Sequence, residues 1–331
     1  MIYKRETVAY ITKLPFIPSK RSDKQIKVLH INKLALIMKK IALKTYELLP
    51  FKKEICFLIK KITTPNKKIY RKLYFEGVFT VKHKKQEYFK IKNYNYLYIE
   101  KCLFWKGLFG EWEKVSLQLW EELCKESEVI FDVGSNTGVY SLLAKSSNPK
   151  SKVYAFEPIK RIYDKLVFNK NLNNYDIFCC QKAVSNTDGK SLIYDHETEH
   201  TTTASLDEGS IGENKSSVVP IEIDLIKLDS FIENNNVKKI DLLKIDVETF
   251  EVEALEGFKK NLEKFKPTIL IEILNNKIAA GIEHIVSDLN YEYYNIDENG
   301  TIEKVENLSK SKSYNFLLCQ SEISKKIKFI S

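Results

Sequence analysis

Five carboxylates stand where an alternating chain would do its chemistry. Asp132 closes the run VIFD, Glu157 closes VYAFE, Asp246 and Glu248 end LLKIDVE, and Glu272 ends TILIE. Each follows an apolar run that reads as a buried strand. Gly134 and Gly138 follow the first acid, with Ser135, Asn136 and Thr137 between them. Acids at strand ends can attract a cation, accept from hydroxyls or remove a proton. An aspartate before the first turn would repel a pyrophosphate, and the turn reads GxxxG, not the GxGxxG of dinucleotide sites. The ligand implied is positively charged.

The elements that must position these acids alternate in kind. VIFDVG is a strand and VYSLLAKSS a helix; KVYAFEP is a strand and Arg161–Asn173 a helix; DIFCCQKAV is a third strand. A polar stretch over 185–220, carrying HETEHTTTAS, interrupts the pattern. IDLLKIDVE, the helix EVEALEGFKKNLEKF, TILIEIL, a helix over Ile278–Leu289 and the strands YEYYNI and SYNFLLC then complete it. Such alternation predicts a mostly parallel sheet covered on both faces, with ligands at the carboxyl ends of its strands. Upstream, FEGVFTVKH, EYFKIK and YNYLYIE have period two and predict short strands. All three tryptophans fall in the next stretch, which continues as a helix over Glu111–Cys124. A helix is predicted over 33–49, and residues 1–31 read as irregular.

The chain has 331 residues, 44% hydrophobic and 29% charged, which excludes a disordered or fibrous class. Its six cysteines show no metal-ligand spacing and read as reduced thiols. No apolar run is long enough to span a membrane, and the basic start lacks a signal peptide's apolar core, so a cytoplasmic protein is expected. Residues 1–100 hold 24 Lys+Arg against 7 Asp+Glu, whereas the remainder holds 29 against 37. A basic arm beside a mildly acidic body hints at an acidic partner or surface. Peripheral attachment to a membrane or a glycan-assembly partner through that arm stays an open alternative.

S-adenosylmethionine carries a sulfonium and an ammonium, which carboxylates attract, and Glu157, 25 residues after Asp132, can accept from both ribose hydroxyls. The strings DVGSNTG, AFEP, LKLDSFI, LLKIDVETFEVEALEG and ILIEIL, in this order, resemble the FkbM family of S-adenosylmethionine-dependent methyltransferases. The resemblance covers about Val129 to Leu274; GEWEKVSLQLW is similar to the helix preceding the domain in bacterial members, and residues 1–70 are not covered. It implies an α/β, Rossmann-like class I methyltransferase fold with a mostly parallel seven-stranded sheet and helices on both faces. A basic helical arm (1–73) and a small β-rich cap with a Trp-rich helix (74–126) would precede a cofactor-binding domain over 127–331.

The resemblance further implies methyl transfer to a hydroxyl of a sugar, glycan or glycosylated metabolite. By position, Asp132, Gly134, Asn136, Gly138, Glu157, Pro158, Ala183 and Asp246 would hold S-adenosylmethionine, with Asp246 and Glu248 near the transferred methyl. Candidate bases are Asp246, Glu248 and His200. No metal site is predicted. The chain departs from the family in placing Thr249 where members usually have glycine after DVE. A nicotinamide-dependent oxidoreductase lacks its pyrophosphate turn here. A non-catalytic scaffold, or a nucleic-acid-associated protein using the basic, aromatic first hundred residues, is the other class to weigh. Nucleic acid is not an expected partner, since no (N/D)PP(Y/F) motif occurs.

Overall fold

The computed structural model describes residues 45–46, 48–95, 97–196 and 218–327. His200 and most of the helix expected over 33–49 lie outside those residues. The chain divides into two compact units, 1–52 and 53–331. The hairpin, the Trp-rich helices and the large sheet all belong to the second. Most of helix α1 (Lys52–Ile62) and the short α2 (Lys67–Tyr70), expected within the arm, belong there too. Phe57 of α1 meets Phe75 and Phe104 edge-on at centroid distances of 6.0 and 5.1 Å.

Strands β1 (Glu76–His83) and β2 (Gln86–Tyr94) form the expected antiparallel hairpin. The third strand expected there is a helix instead, α3 (Tyr98–Lys106). Glu100, Cys102, Leu103, Phe104 and Trp105 are all buried, so α3 has no polar stripe to betray its period. Helix α4 (Lys114–Lys125) follows, and its Trp120 donates to the carbonyl of Tyr140 at 3.0 Å.

The large sheet is built from β3 (Val129–Val133), β4 (Lys152–Phe156), β5 (Ile177–Cys180), β9 (Leu242–Ile245), β10 (Thr268–Glu272), β11 (Glu292–Asp297), β12 (Thr301–Val305) and β13 (Asn315–Cys319). Its order is β12-β11-β13-β10-β9-β3-β4-β5. From β5 to β10 all neighbours are parallel; β13, β11 and β12 are each antiparallel to the strand before them in that order. Seven strands match the expected Rossmann-like arrangement, and β12 adds an eighth at the edge as the far arm of a hairpin with β11. The order reverses at β3: the chain runs outward to β4 and β5, then returns to β9 on the other side. The crevice at that reversal is where such sheets bind ligands.

DIFCCQKAV contributes two strands, not one. After β5 the chain leaves the sheet, and β6 (Ala183–Val184) pairs with β8 (Val218–Ile226), which also pairs with β7 (Gly189–His196). The polar interruption therefore holds a second, three-stranded sheet. Helices α5 (Val139–Ser147), α6 (Lys160–Leu172), α7 (Leu228–Asn234), α8 (Glu251–Glu256), α9 (Lys259–Phe265) and α10 (Asn276–Val286) supply the covering layers, and α11 (Ser321–Ser324) ends the described chain. The helix expected over EVEALEGFKKNLEKF is broken between α8 and α9. A Cβ on Gly257 would fall 1.9 Å from the carbonyl oxygen of Ser185, so the backbones touch there and only glycine fits.

Alternation divides the sheet's two faces. Phe131, Val133, Leu243, Ile245, Ile269 and Ile271 pack into one core with Leu255, Phe258 and Ile282. Asp132 and Lys244 point to the opposite face, and parallel pairing sets them side by side.

Candidate active site

Five strand ends converge on one cavity of about 250 Å³. It runs from Glu272 at β10, past the turns after β9 and β3, to Glu157 at β4 and Ala183 beyond β5. At the β3 turn, Gly134 has φ +81 and Gly138 φ +93. A Cβ on Gly134 would fall 1.8 Å from the carbonyl oxygen of Asp246, and one on Gly138 would fall 2.6 Å from Leu166 Cδ1. The spacing of the two glycines thus admits the β9 turn and helix α6. Close packing within the chain, more than approach of a ligand, demands them.

The turn is tied to β4. The amides of Gly134 and Ser135 donate to the carbonyl of Phe156, and the Asn136 amide donates to Glu157 Oε2 at 3.1 Å. Glu157 Oε1 accepts from the Ile159 amide at 3.0 Å. Burial pushes the Glu157 carboxyl up to about 7, against the pull of those two amides. Each of its oxygens keeps capacity for a further donor. Beside it Ile159, Ala183, Val184, Ile193 and Ile223 form an apolar slot whose far wall comes from β7 and β8.

The other end is charged. Lys244, only 4% exposed, donates to Asp246 Oδ2 at 2.7 Å and lies 4.5 Å above the Tyr140 ring. The Tyr140 hydroxyl donates to Glu113 Oε2 at 2.5 Å. Burial works against the Lys244 ammonium, but Asp246, Glu113 and Asp132 outweigh it and hold its pKa above the ordinary lysine value. Burial, then the neighbouring Asp246 and Glu248, push the Glu272 carboxyl up to about 9. Burial and Asp246 also raise Glu248. Trp112 lines this end and meets Tyr140 edge-on at 6.1 Å.

The β9 turn is strained. Glu248 has φ 53 and Thr249 φ 81, a region that β-branched residues rarely adopt. Buried Glu251 clasps the turn by accepting from the amides of Val247 at 3.3 Å and Thr249 at 3.2 Å. Thr249 thus occupies a conformation suited to the glycine that the family resemblance leads one to expect.

Of the residues singled out from sequence, Gly134, Asn136, Glu157, Pro158, Ala183, Asp246 and Glu248 line the cavity, as does Glu272. Asp132 and Gly138 do not. Asp132 is fully buried beneath the floor, with Oδ2 accepting from Ser141 Oγ at 2.6 Å and Oδ1 without a partner among the described residues. It stands one residue short of the end of β3, and its side chain turns toward Ser141 of α5. His200 lies outside the described residues. Glu111, expected to begin the Trp-rich helix, precedes α4; it accepts from Tyr70 at 2.6 Å and pairs with Lys67 at 2.6 Å. The sequence reading missed Lys244, Glu113, Tyr140 and Trp112. Lys244 had a visible signal, a lone lysine inside the apolar strand LLKI.

The two ends suit S-adenosylmethionine. Glu157 offers acceptors for a ribose diol, the slot accommodates a flat apolar ring system, and the acid-rich end suits a sulfonium and an ammonium. Residues 132–293 match the family model described as the Methyltransferase FkbM domain. This stretch, just under half of the chain, is similar to the methyltransferase domain of the FkbM family.

The chain is similar to the hexuronic acid methyltransferase AglP of Haloferax volcanii, 27% identical over 182 residues, or 54% of this chain and 66% of that protein. It is also similar to Methyltransferase 1 of Beauveria bassiana, 24% identical over 46% of this chain and 67% of that one. The chain thus spans about two thirds of these relatives. A solved FkbM methyltransferase from Methylobacillus flagellatus aligns with 14% identity and a TM-score of 0.37, covering 58% of this chain and 44% of that one. Trp112 and Glu113 precede the FkbM domain, so part of the cavity wall comes from outside the matched region. Among the described residues, no helix is long and apolar enough to cross a membrane.

Proposed function

We propose that this chain methylates a hydroxyl of a sugar, glycan or glycosylated metabolite. The observation that carries the reading is the wall at the β9 end. There an indole and a carboxylate contributed from outside the matched domain, Trp112 and Glu113, line the cavity together with Asp246 and Glu248. Indole faces stack on sugar rings, and carboxylates orient sugar hydroxyls by accepting from them. The name of AglP, a relative acting on a hexuronic acid, points the same way.

S-adenosylmethionine, when bound, supplies a methyl group activated for in-line transfer to a nucleophilic oxygen. The chain's own part is to align the acceptor oxygen and to take its proton, and alignment supplies much of the acceleration. Asp246 is already committed to Lys244, whose ammonium donates to its Oδ2 at 2.7 Å. Glu248 is next along the turn, and its raised pKa brings it closer to the working pH of a general base. Glu248 is therefore the proton acceptor in this reading, Asp246 the electrostatic partner, and Glu157 the holder of the ribose.

The test is incubation with S-adenosylmethionine and a panel of glycosides, following S-adenosylhomocysteine release. Methylation of at least one glycoside, lost by a hundredfold or more in Glu248→Gln with cofactor affinity unchanged, is expected. Tight cofactor binding with no glycoside methylated defeats the reading.

A further inference from the structure

We infer that the acceptor is uncharged: a neutral sugar, not a uronic acid. This rests on the glycan reading above and concerns the charge selectivity of the same cavity. The β9 and β10 end presents the carboxyl groups of Glu113, Asp246, Glu248 and Glu272, and among the described residues the one cation placed with them is Lys244. That cation is spent. Its ammonium donates to Asp246 at 2.7 Å, rests on the Tyr140 ring and is 4% exposed, so it has no free face to offer an incoming carboxylate.

The other lysine lining the cavity, Lys182, follows β5, at the far end of the strand order from β10. Beyond the cofactor's own sulfonium and ammonium, an anionic acceptor at the β9 end would therefore meet several carboxyl groups and no available counter-charge among the described residues. The cavity already resists further negative charge, as the raised Glu272 and Glu248 carboxyls show. A pyranose carries its carboxylate on the ring, so whichever hydroxyl is presented, the acid stays within a ring's width of this cluster. Like charges at such range in a half-desolvated site are unfavourable. An uncharged ring meets no such penalty, can stack on Trp112 and can donate its hydroxyls to the carboxylates.

The same field argues against methyl esterification of an acceptor carboxylate. In the neutral case the balance is simple: the acceptor O–H bond breaks, its proton passes to a carboxylate, and the oxygen forms the new C–O bond as the sulfonium leaves as a thioether. The expected contrast is with AglP, whose name specifies a hexuronic acid.

The experiment uses the full chain with S-adenosylmethionine and matched pairs of para-nitrophenyl glycosides: glucoside against glucuronide, and galactoside against galacturonide. S-adenosylhomocysteine release gives kcat/KM, and alkali treatment of the product separates a stable ether from a labile ester. The neutral member of a pair is expected to be used at least tenfold better, giving an alkali-stable product. Glu113→Gln, which removes one acid of the wall, is expected to shrink that ratio at least threefold. A uronide used as well as its neutral counterpart, or an alkali-labile methyl ester, overturns the inference while leaving the glycan reading intact. If no glycoside of either kind is methylated although titration calorimetry shows the cofactor bound, the glycan reading fails and this inference with it.

Discussion

Replacing Lys244 by methionine isolates the interaction around which the acid end is arranged. Methionine fills a similar volume without charge, so the perturbation is chiefly electrostatic. Asp246 loses a partner at 2.7 Å, and Asp132 and Glu113 lose the same nearby cation. Removing one member of a buried ion pair costs about 3–5 kcal/mol. Asp246 keeps 29% of its side chain exposed, so water screens part of the loss and about 3 kcal/mol is the value to expect. A shift of about 1 kcal/mol moves the midpoint of a domain of this size by roughly 2–4 °C, so the loss corresponds to roughly 6–12 °C.

Urea denaturation at pH 7.5 followed by far-UV circular dichroism measures the free energy, and a thermal scan the midpoint. The deficit should also depend on pH with a definite sign. Burial already holds the Asp132 carboxyl above its ordinary value against the pull of Lys244, and without the ammonium it rises further. Such acids favour the folded state on the acid side, and that contribution is lost as pH rises through the folded pKa. The variant should therefore recover part of its deficit at pH 5. The double variant Lys244→Met, Asp246→Asn should recover part of it at pH 7.5, since one stranded charge is gone. A Lys244→Met protein within about 1 kcal/mol of the parent at pH 7.5 would refute the network as described.

Three further outcomes follow from the geometry. Glu157→Ala removes the acceptor tying the Asn136 and Ile159 amides and the oxygens available to a ribose; titration calorimetry should show S-adenosylmethionine affinity falling ten- to a hundredfold, at about 1.5–3 kcal/mol for a charged hydrogen bond, and unchanged affinity would displace Glu157 from the site. Thr249→Gly relieves a β-branched residue at φ 81 and should raise stability by about 1 kcal/mol in urea titration, strain relief exceeding the added chain entropy; a lower urea midpoint would show that the turn is not strained. Glu100, whose Oε1 accepts from Thr137 Oγ1 at 2.8 Å and whose Oε2 has no partner among the described residues, is raised by burial to about 7. Its folded-state pKa exceeds the unfolded value, so its contribution declines as pH rises from about 4.5 through 7; Glu100→Gln should flatten the stability–pH curve over that window, and an unaltered curve in thermal scans at pH 5 to 8 would count against it.

Much of this protein follows from residue order alone. β3, β4, β9 and β10 are apolar runs of strand length, α5 occupies Val139–Ser147 as its composition indicates, and alternation of strand and helix leads to a parallel sheet with Glu157, Asp246, Glu248 and Glu272 at its carboxyl ends. Those features are local: a strand buried on both faces is apolar throughout, and a side chain at its end must emerge into the crevice. In other elements the local signal fails. Helix α3 is buried nearly all round and mimics a strand; β5 and β6 read as one run because nothing local says that they join different sheets; β12 carries only one deeply buried residue, Ile302.

The site shows the same division. That acids gather at the strand ends is written in the chain. Only tertiary structure decides which of them meet Lys244, that Asp132 lies beneath the cavity floor, and that Trp112 and Glu113 reach the cavity from before the FkbM domain. Sheet register and helix packing set those neighbours, and both join residues far apart in sequence, where no period can reveal them.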